Sequence, residues 1–94
     1  MVLDDVMDIR VYLYDTYDPN SVRILDLLKN CNLKFKYNTY SKDNMDYISQ
    51  EIGEKVRKLP QVVVDGDRIG GYYDLMELLL NEKLIDYKGD PCQT

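Results

Sequence analysis

The segment LPQVVVDGDRIGGYYDL, Leu59 to Leu75, carries the densest structural punctuation in the chain. Pro60 closes whatever precedes it, because proline has no amide hydrogen and its ring restricts the residue before it. Val62 to Val64 form a short β-branched run. Asp65, Gly66 and Asp67 supply a tight turn, and Arg68 and Ile69 run back, which reads as an antiparallel hairpin. Gly70 and Gly71 then release the chain into YYDLMELLLNEKL, where Leu75, Met76, Leu78 and Leu79 mark a strongly apolar helix.

Working outward, IRVYLY (9–14) alternates as a strand, with Ile9, Val11 and Leu13 on one face. Asp18 is placed to cap the next helix and Pro19 suits its first position, where a missing N–H removes no intrahelical bond. NSVRILDLLKN then gives Val22, Leu25 and Leu28 on one side with Ile24 nearby, predicting a helix over about residues 19–30. LKFKYNTY alternates Leu33, Phe35 and Tyr37 against Lys34, Lys36 and Asn38, the pattern of a half-buried strand. SKDNMDYISQEIGEKVRK carries Met45, Ile48, Ile52 and Val56 at helical spacing, with a break near Gly53.

The order is strand, helix, strand, helix, hairpin, helix. The first two strands lie parallel through a right-handed crossover, and the last two form an antiparallel pair. A mixed four-stranded sheet with helices on both faces buries every apolar stripe, so the expected fold class is a three-layer α/β/α domain. Residues 1–8 are read as a leader, 9–84 as the single domain and 85–94 as an aperiodic tail.

With 45% apolar and 31% charged residues, the 94-residue chain has the make-up of a folded globule. No apolar run approaches a membrane span and the acidic N-terminus does not resemble a secretory signal, so a cytoplasmic location is expected. A net charge of −5 argues against a nucleic-acid surface. Lys55, Arg57 and Lys58 beside Glu51 and Glu54 read as solvated surface. The absence of histidine removes Ser-His-Asp and Cys-His catalysis, and two cysteines, Cys31 and Cys92, offer no zinc cluster. Of the nine tyrosines, Tyr12, Tyr14 and Tyr37 fit strands and Tyr47 the second helix. Tyr17, Tyr40, Tyr72 and Tyr73 fall near element ends, where their rings suit either solvent or recognition.

The element order and the Leu59–Leu75 segment resemble glutaredoxin, a family of the thioredoxin fold, over roughly residues 9–84. VYLYDTYDPNSVRILDLL resembles that family's first strand and active-site helix. The resemblance implies a cis-proline at Pro60, next to the active-site turn, with the backbone of Leu59 offered to a bound thiol or peptide. It also implies that Gly70, Gly71 and Asp74 hold the γ-glutamyl end of glutathione. Two departures stand out. Asp18 and Ser21, in the sequence DPNS, occupy the positions of the family's cysteine pair, and Asp15 stands where a basic residue is common. Lys58 and Leu59 replace the usual Thr-Val before the proline.

The family's role in electron transport and cell redox homeostasis needs a thiolate as nucleophile and leaving group, which a carboxylate and a hydroxyl cannot supply. Cys31 is expected at the far end of the first helix, about 18 Å from Asp18 at 1.5 Å per residue. The leading expectation is therefore a redox-silent glutaredoxin-like protein, cytoplasmic and monomeric, with no catalytic residue and no required cofactor. It would bind a protein partner or a glutathione-like peptide through Tyr17, Leu59, Pro60, Gly70, Gly71 and Asp74. On charge, the acidic approach at Asp15 and Asp18 favours a basic or amide-rich protein segment over anionic glutathione. Two alternatives remain: a glutathione-dependent oxidoreductase with an altered site or an unorthodox use of Cys92, and a structural or assembly subunit. Proteins of this kind occur in bacteriophages as well as in cells.

Overall fold

A computed structural model describes residues 7–86, 88 and 90. Strand β1 (Ile9–Tyr14) leads into helix α1 (Pro19–Asn30), then strand β2 (Lys36–Tyr40) and helix α2 (Met45–Ile52). The hairpin β3 (Gln61–Val64) and β4 (Asp67–Gly70) is followed by helix α3 (Tyr72–Asn81). The sheet order is β2-β1-β3-β4, with β1 parallel to β2 and both other pairings antiparallel. The mixed four-stranded sheet expected from the pattern is present.

Alternation along β1 sends its residues to two separate cores, since successive side chains in a strand face opposite sides of the sheet. Ile9, Val11 and Leu13 pack with Val62 and Val64 against Ile24, Leu27 and Leu28 of α1 and Leu75 and Leu79 of α3. Tyr12 and Val63 face the other way, onto Ile48 of α2 with Val56 and Leu59. All four residues of β3 are buried, as a strand covered on both faces requires. Ile85, beyond α3, also joins the larger core.

Three details differ from the sequence pattern. On α1 the inward positions are Ile24, Leu27 and Leu28, while Val22 is exposed and Leu25 only partly covered. The apolar stripe is centred on Ile24 and Leu28, so residue 22 falls off its edge. Strand β2 begins only at Lys36, and Tyr37 is half exposed, because β2 is an outer strand with most of its residues in solvent. Leu33 and Phe35 still pack against the larger core, but from the segment before the strand.

Helix α2 stops where Gly53 takes a left-handed conformation at φ 90° and closes the last turn through its N–H to the Ser49 carbonyl. Val56 is therefore buried from a loop. Its N–H donates to Ser49 Oγ at 2.8 Å, which ties that loop back onto α2. In the hairpin, Asp65 and Gly66 both have positive φ (52° and 86°), the geometry of a two-residue turn matched to strand twist.

Candidate functional site

The β1–α1 junction has one well-defined structural task. Asp18 sits at the N-cap of α1 in an extended conformation, and its Oδ2 accepts from the Ser21 N–H at 3.0 Å and the Ser21 hydroxyl at 3.1 Å. A helix start leaves amide donors without intrahelical acceptors and carries the positive end of the helix dipole. The Asp18 carboxylate meets both needs. Ser21 is buried under this cap, at 7% exposure, so its hydroxyl serves the carboxylate rather than solvent.

The Leu59–Pro60 peptide is cis, as expected. Leu59 buries its side chain in the smaller core, while Lys58, Leu59 and Pro60 form one wall of a groove of about 270 Å³. The segment from Gly71 to Asp74 forms another wall, and Asn20, in the first turn of α1, completes the lining. The chain thus brings Leu59, Pro60, Gly71 and Asp74 together, with Gly70 immediately behind them.

The start of α3 is built around Asp74. Its Oδ2 accepts from the Gly71 N–H at 3.0 Å, so the acid three residues into the helix reaches back to close the turn. Gly70 adopts φ 124°, and a Cβ placed there would lie 2.7 Å from Asp74 Cγ. The close approach of the chain to this carboxylate therefore requires glycine at position 70. Gly71 is under no such constraint, since a Cβ there would meet the Pro60 carbonyl oxygen at 3.8 Å, an ordinary contact.

The opposite wall has its own support. Gln61, 7% exposed, donates from its side-chain amide to the Lys58 carbonyl at 3.2 Å. Its amide oxygen faces Arg68 Nη1 at 3.4 Å, and Arg68 Nε pairs with Glu54 at 3.1 Å. A buried amide satisfied at both ends fixes the backbone from which Lys58 projects. Lys58, read from sequence as solvated surface, is exposed and also borders the groove. The signal was its position two residues before Pro60, which outranked its membership of a charge run.

Other candidates lie elsewhere. Asp15 and Thr16 border a separate depression with Tyr14, Ser41 and Lys42. Tyr17 is 82% exposed and is not among the groove's lining residues, whereas Tyr72 and Tyr73 are, with their rings edge to face at 5.2 Å. Cys31 is half-buried at the C-cap of α1, the end opposite Asp18, and Cys92 lies outside the described residues. Among the described residues no group of three or more His, Cys, Asp or Glu could hold a metal ion, and no helix is long and apolar enough to cross a membrane.

A second aromatic cluster sits on the α2 side. Tyr12 and Tyr47 donate to the two oxygens of Glu51, at 2.7 and 2.9 Å, and Tyr40 stacks on Tyr12 with ring centroids 5.7 Å apart. Burial, the Glu51 hydrogen bond and the Glu51 charge push the Tyr12 phenol well above its usual range. The Tyr47 phenol is raised first by its hydrogen bond to Glu51. Neither group borders the groove.

This mixed sheet with its three helices recurs in solved structures. Glutaredoxin 1 from Francisella tularensis superposes with a TM-score of 0.65 at 18% identity, covering 81% of this chain and 94% of that one. The chain has the glutaredoxin fold. A buckwheat glutaredoxin–glutathione complex matches at a TM-score of 0.62 and 22% identity, over 87% of this chain and 76% of that chain. Reduced Escherichia coli glutaredoxin matches at 0.61 and 25%, over 79% and 94%. No protein-family model and no curated protein sequence matches the chain significantly. The glutaredoxin fold is thus preserved at identities where few side chains persist.

Proposed function

We propose that this chain is a glutaredoxin-fold binding module that takes a short, glutathione-like peptide and performs no thiol–disulfide exchange at the start of α1. The observation that carries this reading is the groove itself: the Lys58–Pro60 wall and the Gly71–Asp74 helix start face one space beside the first turn of α1. Its lining joins apolar and aromatic side chains with a few polar groups, the make-up of a small-ligand site. One solved neighbour with this fold is a glutathione complex.

The chemistry at the cap supports binding over turnover. In this reading Asp18 and Ser21 hold the positions of the fold's cysteine pair. A carboxylate cannot attack a disulfide sulfur and then leave as a thiolate would, and Ser21 is committed to Asp18. The charge argument also changes with the geometry. The Asp18 carboxylate is engaged with Ser21, Asp15 borders another depression, and the groove's own charged residues are Lys58 and Asp74. Asp15 and Asp18 still favour a basic segment on the approach to α1, while the lining of the groove itself, one cation and one anion, matches a zwitterionic peptide.

The test is a titration of the isotopically labelled chain with glutathione, read by amide chemical shifts. Saturable shifts at Leu59, Gly71 and Asp74 support the reading. Shifts absent from all three at millimolar ligand would remove it.

A further inference from the structure

We infer that Lys58 is the residue that selects for a ligand carboxylate in this groove, a conclusion that rests on the groove being the binding site. Among the described residues that line the groove, Lys58 is the one cation and Asp74 the one anion. Among the described residues, no carboxylate lies within ion-pair distance of the Lys58 ammonium; the ion pairs are Arg10–Asp8 and Arg68–Glu54. The backbone that carries Lys58 is held by the Gln61 amide, so the ammonium swings on a flexible stem from a fixed root.

The two charges also orient the ligand. A peptide with an ammonium at one end and a free carboxylate at the other places the ammonium toward Asp74 and the far carboxylate toward Lys58. Asp74 keeps one oxygen on the Gly71 N–H, which leaves the other for the ligand. The carboxylate-binding cation is therefore supplied from the loop before Pro60. The end of β1 offers Asp15 instead, in a separate depression.

The experiment compares glutathione with its glycyl amide, in which the far carboxylate is neutral, on the wild-type chain, Lys58→Met and Lys58→Arg. An exposed ion pair of this kind contributes about threefold to fivefold in affinity, so the amide binds wild type weaker by that factor. In Lys58→Met the two ligands bind alike, and Lys58→Arg restores the preference. Lys58 is exposed, so both variants should fold, and amide spectra of the free variants check this. If wild type binds both ligands equally, or if Lys58→Met keeps the preference, the inference about Lys58 is overturned while the groove stands. If neither ligand shifts the groove amides of wild type, the groove reading fails and this inference with it.

Discussion

The carboxylate of Asp74 occupies the space that a Cβ on Gly70 would need, with Cγ only 2.7 Å from that position. The turn into α3 is thus a lock between a glycine with φ 124° and an acid that bonds the intervening Gly71 N–H.

Gly70→Ala should destabilise the protein by about 1–3 kcal/mol, through both the positive φ and displacement of the cap. Gly71→Ala, with ordinary contact distances and an extended conformation, should cost less than about 1 kcal/mol. Urea denaturation of the two variants checks the contrast. Equal losses would mean that Asp74 moves aside freely.

Asp18→Ala should lower stability by about 1 kcal/mol, the usual loss for an N-cap acceptor, and Asp18→Asn should recover most of it. The same denaturation measurement decides this. An unchanged Asp18→Ala midpoint would mean that water replaces the cap at no loss.

The wild-type chain should show no glutathione-dependent disulfide reductase activity above that of a chain lacking Cys31 and Cys92. Asp18→Cys with Ser21→Cys should create measurable dithiol exchange, because a helix N-terminus favours the thiolate. Wild-type turnover that vanished on loss of Cys92 alone would instead reveal an unorthodox use of that residue.

Tyr12→Phe should cost about 1 kcal/mol at neutral pH, the net worth of its hydrogen bond to Glu51. Its folded phenol resists ionisation beyond the unfolded value of 10.0. The unfolded chain therefore releases this proton first, and the stabilisation, complete below about pH 10, declines as pH rises above it. The gap between wild type and Tyr12→Phe should narrow between pH 9 and about 11 in denaturant titrations. A constant gap would show that Tyr12 does not report on this linkage.

Elements with a clean period were readable from sequence: β1, α1 and the Asp65–Gly66 hairpin emerged from alternation, a cap and turn residues. Helix α2 read longer than it is, because Val56 continues the helical spacing after Gly53 has ended the helix, and only the Ser49–Val56 bond accounts for its burial. Strand β2 read as half-buried because alternation cannot tell an outer strand from an inner one. At the site, Pro60 and the glycine pair carried sequence signals. Lys58 carried only its position two residues before Pro60, because its place beside the start of α3 comes from a long-range contact that no local pattern encodes.

The self-contained cap at Asp18 has a consequence for the surroundings in which this molecule works. A thiol at that position would alter its charge, bulk and bonding whenever peroxide or a mixed disulfide reached it. A carboxylate bonded to a hydroxyl passes through those conditions in one chemical state. The N-terminal end of α1 therefore keeps the same charge, bulk and bonding under oxidising conditions as under reducing ones.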